Sequence, residues 1–262
     1  MRSKHPVIQT LHDNKSRVNH CLCVGIDPDI TKLPEAFSHT LSGLNDFLEK
    51  VIKDTSGQVL AYKPNISFFE ALGIDGLKSL ELLRKHIPEN IPMILDAKRG
   101  DIGNTATMQA KYLFDYFGAD ASTLHPYMGL DSLEPFFKYK DKLHFVLGLT
   151  SNPSASNFEK LKLENGEPLY KTVISQCAGW NKEYGNVGVV VGATQSELKE
   201  IRKIDQDIIF LIPGVGAQGG YYEDAFSQGK NQDDLVVINA SRSILYQNPE
   251  LSFCERISQT IS

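Results

Sequence analysis

Asp96, Lys98 and Asp101 stand in a D-x-K-x-x-D pattern within LDAKRGDIGNTA, residues 95–106. If the apolar run before them continues as a strand, Asp96 and Lys98 lie two apart and share a face. An amine flanked by carboxylates is favoured in its ammonium form. A fixed ammonium stabilises negative charge developing beside it and can then deliver a proton. The same surroundings disfavour the neutral amine that a Schiff-base aldolase lysine needs. Asp27 and Lys63 also close apolar runs, CLCVGI and VLAY. One charge at a strand end is ordinary solvation. Charges at the ends of three successive runs are hard to explain as packing. Asp101 has a second reading, as a cap for the helix that follows, a job Asn104 or Thr105 could also do.

The elements that must hold these residues are legible as apolar runs at 21–26 (CLCVGI), 59–62 (VLAY), 93–95 (MIL), 121–124 (ASTL), 145–149 (FVLGL), 187–191 (VGVVV), 208–212 (IIFLI) and 235–238 (LVVI). Each reads as a short strand covered on both sides. Between them apolar residues recur at helical spacing: Leu77, Leu80 and Leu83; Met108, Tyr112 and Asp115–Tyr116 within 104–117; and Leu169, Val173, Ile174 and Cys177. Eight runs with crossovers predict an α/β fold, a TIM (β/α)8 barrel, with an open doubly wound sheet as the alternative. No linker rich in Pro, Gly or Ser divides the chain, so a single domain over residues 1–262 is expected. In such a barrel chemistry occurs where strands end and βα loops begin. The longest irregular stretch, 151–168, is then an extended βα loop at an active-site position, or a tolerated surface insertion.

The seventh run is followed by PGVGAQGG, 213–220. Glycines let backbone N–H groups turn toward an anion, and the loops after strands 7 and 8 are the usual phosphate site of this barrel. Arg242, just after the eighth run, supplies a guanidinium fork able to grip two phosphate oxygens. A phosphorylated ligand is expected. Lys plus Arg total 27 against 32 Asp plus Glu, a net charge of −5, which argues against a nucleic-acid partner. No apolar run has the length of a membrane span, and MRSKHP lacks a signal-peptide core, so no membrane association and a cytoplasmic location are expected. Cys21, Cys23, Cys177 and Cys254 form no C-x-x-C pair and the histidines are scattered, so reduced packing thiols and no metal site are expected.

In order along the chain, GIDPD (25–29), YKPN (62–65), LDAKRGDIGNTA (95–106), PGVGAQGG (213–220) and SRSIL (241–245) resemble the orotidine 5′-phosphate decarboxylase family. HPYMG (125–129), VVVGAT (189–194) and the chain length are similar to its longer bacterial branch. The resemblance implies decarboxylation of orotidine 5′-phosphate to uridine 5′-phosphate and CO2, the last step of de novo pyrimidine biosynthesis, with no cofactor and no metal. Lys98 is implied as the proton donor, in an alternating array with Asp96, Lys63 and Asp101. Asp27 and Lys63 are implied to contact the ribose hydroxyls and Ser151 the pyrimidine. Pro213, Gln218, Gly219 and Arg242 are implied around the phosphate end. The resemblance also places Asp101, with Thr105 after it, in a neighbouring subunit's site, which implies a homodimer with shared active sites. It assigns no role to His125, and it does not choose between Tyr221 and Tyr222 as a phosphate contact.

Overall fold

A computed structural model describes residues 5–192, 194–214 and 221–262. Eight strands form one sheet: β1 (Leu22–Ile26), β2 (Ala61–Pro64), β3 (Ile94–Arg99), β4 (Ala121–Leu124), β5 (Leu143–Leu149), β6 (Val187–Val191), β7 (Phe210–Pro213) and β8 (Val237–Ala240). All pair in parallel, in the order β2-β1-β8-β7-β6-β5-β4-β3. Parallel bridges from Tyr62 to Met93 and from Asn65 to Asp96 join the two ends of that order, bringing the sheet round into a nearly closed barrel. This is the TIM barrel expected from the sequence. Parallel strands need crossovers, and the helices between them cover the outer face. Phe47, Phe69, Phe137, Phe145 and Phe210 are fully buried in one continuous apolar cluster. The helix Pro6–Val18 precedes β1 and crosses the end where strands begin: Asn14 donates to the carbonyls of Leu60 and Asn90, and Arg17 to those of Gly57 and Val59. Among the described residues no helix is long and apolar enough to cross a membrane.

The strands run further toward the mouth than the apolar runs do. Lys63 pairs with Gly25, Arg99 with Leu124, and Asn239 with Pro213. Lys63, Asp96, Lys98, Pro213 and Asn239 are therefore strand residues and not the first residues of loops. A ladder is made by backbone groups, so a polar side chain at the mouth does not end it. The 151–168 segment is also more ordered than its composition suggests. It holds a 3-10 turn at Pro153–Asn157 and a bridge from Lys162 to Pro168, and Glu159 accepts hydrogen bonds from the Thr150 N–H and hydroxyl, both at 2.7 Å.

Two of the expected helical faces pack as predicted: Leu80 and Leu83 are buried, as are Ile174 and Cys177. The third does not. After Gly103–Lys111 the chain makes a π turn at Tyr112–Tyr116, and Met108 and Tyr116 face solvent at 55% and 59% exposure. The buried face is Ala106, Ala110, Leu113, Phe114 and Phe117. These positions keep the 3.6-residue spacing, so the expected face had the right period but lay on the wrong side: two small alanines pack inward and leave Met108 and Tyr116 outside. The cysteines are all free; burial pushes the Cys21 thiol up to about 11 and the Cys177 thiol to about 12, as expected of packing residues. On this packing Phe117→Ala should cost about 3–5 kcal/mol, read as a lower urea midpoint. A loss within about 0.5 kcal/mol, the range of surface substitutions, would mean that Phe117 is not part of the core.

Candidate active site

The centre of the barrel mouth is one carboxylate shared by two amines. Asp96 Oδ2 lies 2.7 Å from Lys63 Nζ, and Asp96 Oδ1 lies 2.6 Å from Lys98 Nζ. The side chains of Lys63 and Asp96 are 6% and 10% exposed, whereas that of Lys98 is 47% exposed, so Lys98 is the amine that faces the opening. Burial alone would raise the Asp96 pKa, but the charges of Lys63 and then Lys98 hold it well below the usual carboxylate range. Burial would likewise lower the Lys63 pKa, and Asp96 followed by Asp27 more than offsets this. Cys23, within electrostatic range of the same group, has its thiol pushed up to about 12 by burial. The mouth therefore holds fixed charges of known sign.

Lys98 takes part with an unusual backbone. Its φ is +45°, in the left-handed region that L-residues enter at a cost of roughly 1–2 kcal/mol. The β3–β4 register jumps there, from Leu95 opposite Ser122 to Arg99 opposite Leu124. Thr123 fills the gap: its hydroxyl accepts from the N–H groups of Ala97 and Lys98, both at 3.0 Å, and donates to Asp96 Oδ1 at 2.8 Å. Across the barrel, Tyr246 braces the loop after β1, accepting from the Asp29 N–H and donating to the Asp27 carbonyl.

Three buried oxygens near this end, Asp27 Oδ1, Asn239 Oδ1 and Ser241 Oγ, have no hydrogen-bonding partner among the described residues. Asn239 and Ser241 crowd Gly25, where an added Cβ would lie 2.8 Å from Ser241 Cβ and 3.0 Å from the Asn239 carboxamide, so only glycine fits. Buried polar groups without partners are uncommon, and at a mouth they mark positions that a polar ligand can satisfy.

Asp27, Lys63, Asp96 and Lys98 thus gather as the sequence suggested. Asp101 does not join them within this chain: its carboxylate accepts from the neighbouring Ile102 N–H at 2.8 Å, and among the described residues it makes no ion pair. It is not a helix cap either. The Gly103–Lys111 helix has no side-chain cap, and Asn104 and Thr105 lie inside it, with Thr105 exposed. Ser151 follows β5 and packs on the end of β6, where a Cβ on Gly192 would come within 2.9 Å of the Ser151 N–H. Pro213 ends β7, and Arg242 opens a short helix after β8, exposed. Gln218 and Gly219 lie outside the described residues. The His125 side chain is exposed, and its backbone N–H bonds the Arg99 carbonyl at 2.7 Å just past the end of β4. Tyr222 is committed to packing, its hydroxyl accepting from the Cys21 N–H at 2.7 Å, while Tyr221 is exposed.

The profile described as "Orotidine 5'-phosphate decarboxylase / HUMPS family" matches residues 20–257. The chain belongs to this family. It is 45% identical over 236 residues to the orotidine 5′-phosphate decarboxylase of Herpetosiphon aurantiacus, covering 89% of this chain and 87% of that one. Identity to the Flavobacterium johnsoniae orotidine 5′-phosphate decarboxylase is 41% over 252 residues, 95% of this chain and 92% of the relative. Among solved structures, the OMP decarboxylase of Leishmania donovani superposes with a TM-score of 0.86 at 32% identity, covering 97% of this chain and 95% of that one.

Reading the family motifs alone misses Thr123 and Asn239. Asn239 carried a signal, as a polar residue that closes the apolar run LVVI, whereas Thr123 reads as an ordinary strand residue. In this decarboxylase-family barrel, removing the central carboxylate isolates a buried ammonium. Asp96→Asn should therefore destabilise the fold by about 3–5 kcal/mol at pH 7, read by urea denaturation. Because the folded pKa of Asp96 is depressed, its contribution is fully present above about pH 3.9 and is lost as pH falls through the folded value. The gap between wild type and variant should narrow below pH 4; a constant gap would contradict the assigned ion pair.

Proposed function

We propose that this protein decarboxylates orotidine 5′-phosphate to uridine 5′-phosphate and CO2 without a cofactor, the last step of de novo pyrimidine biosynthesis. The observation that carries the reading is the Lys63–Asp96–Lys98 group with Lys98 toward the opening. Breaking the C6–CO2 bond leaves an electron pair on C6 with no adjacent electron sink. The Lys98 ammonium stabilises that charge where it forms and then transfers its proton to C6. Asp96, held ionised by the two lysines, stands beside the departing carboxylate and disfavours the bound ground state relative to neutral CO2. Asp27 and Lys63 receive the ribose hydroxyls, and the buried Asp27 Oδ1, without a hydrogen-bonding partner among the described residues, supports this. Ser151 meets the pyrimidine. Pro213, Gln218, Gly219 and Arg242 surround the phosphate, whose binding energy is used in reaching the transition state.

The active form is a homodimer in which Asp101 and Thr105 reach the partner's substrate. Supporting this, Asp101 makes no ion pair among the described residues of its own chain, and the rim beside it exposes Ile102, Tyr127 and Met128. An aldolase reading fits less well. A Schiff-base lysine needs a neutral amine, and both lysines here are paired with Asp96.

Mixing the protein with orotidine 5′-phosphate and a chelator should change the pyrimidine's ultraviolet absorbance as product forms. No change at any enzyme concentration would overturn the proposal, and a covalent adduct trapped by borohydride with a sugar phosphate would favour the aldolase. Lys98→Ala should abolish turnover while the protein stays folded; activity within about tenfold of wild type, some 1.4 kcal/mol, is too small a loss for the proton donor. Inactive Lys98→Ala and Asp101→Ala proteins, once mixed and exchanged, should regain partial activity, since one mixed site is intact. Verified exchange without recovery would argue against shared sites.

A further inference from the structure

Between the paired ends of the β3–β4 ladder, β3 carries Asp96, Ala97 and Lys98 while β4 carries Thr123 alone. A parallel ladder cannot satisfy the backbone N–H groups of a bulge of this size. Here the Thr123 hydroxyl does so, accepting from both Ala97 and Lys98. A hydroxyl has one proton and two lone pairs, so its remaining capacity is a single donated bond, and that bond goes to Asp96 Oδ1. This oxygen is the one that takes the Lys98 ammonium at 2.6 Å. Thr123 is 1% exposed, so no water stands in for any of these bonds. One buried hydroxyl therefore ties the left-handed backbone of Lys98 to the carboxylate that receives its side chain.

We infer that Thr123 is a positioning residue that holds the β3 bulge and the Asp96 carboxylate so that the Lys98 ammonium points at the reacting carbon. It touches no substrate itself and acts through Asp96 and Lys98. Valine has the shape of threonine without the hydroxyl. Thr123→Val removes the acceptor of the Ala97 and Lys98 N–H groups and one of the hydrogen bonds that orient the Asp96 carboxylate.

The inference rests on the decarboxylase reading, and wild-type turnover of orotidine 5′-phosphate is its control. An inactive wild type refutes the reading; an active wild type with a fully active Thr123→Val protein refutes the inference alone. The expected result for folded Thr123→Val is a kcat lowered roughly 100-fold, the scale of a misplacement of about 1 Å, with KM and uridine 5′-phosphate affinity little changed. Thr123→Ser, which keeps the hydroxyl, should restore most of kcat. A merely structural role predicts the opposite pattern: a lower melting temperature, with kcat per folded molecule unchanged. If the valine protein does not fold, Thr123→Ala is compared with Thr123→Ser. Equal losses in the two would place the effect in the methyl group and overturn the inference.

Discussion

The site depends on a single carboxylate with two cations. Asp96 is buried, and a buried charge is tolerated only when it is paired and hydrogen-bonded. Lys63 neutralises it from below, Lys98 from the side of the opening, and Thr123 supplies a further donor. The pairing runs both ways, since the nearly inaccessible Lys63 would itself be untenable without Asp96. This mutual requirement is why the charges cannot drift, and a preorganised field is worth more to a reaction than a mobile one.

The barrel makes this possible by separating structural and chemical tasks. The Pro6–Val18 helix closes the end where strands begin, and large aromatic side chains fill the layers around the sheet. At the other end the strands continue past their apolar runs and carry polar residues into the mouth on rigid backbone. A side chain on a strand is placed more firmly than one on a loop. Lys98 is one of four described non-glycine residues with a positive φ, beside Asn19, Asp234 and Asn248, and the neighbouring strand β4 braces it through one side chain.

Much of the site was legible from spacing. Asp96 and Lys98, two apart at the end of an apolar run, had to share a face, and Asp27 and Lys63 at the ends of earlier runs had to lie nearby once the runs became parallel neighbours. Thr123 was not legible in the same way. A threonine in a short apolar run reads as an ordinary strand residue, and its importance appears only when β3 bulges opposite it. The helix after Asp101 packs on a different face from the one expected, because its first buried positions are the small residues Ala106 and Ala110, which carry less apolar weight in the sequence than Met108 and Tyr116.

Local order in the chain was therefore enough to determine the class of fold and the charged residues, because burial on both faces imposes apolar runs and the barrel places function where those runs stop, while the family rested on the resemblance of its motifs in order along the chain. Tertiary structure alone decided how Asp96 divides its two oxygens between Lys63 and Lys98, which lysine is accessible, and which hydroxyl completes the group. These are distances between residues far apart in sequence, and they arise only when the sheet closes and the β3–β4 register slips to admit a bulge.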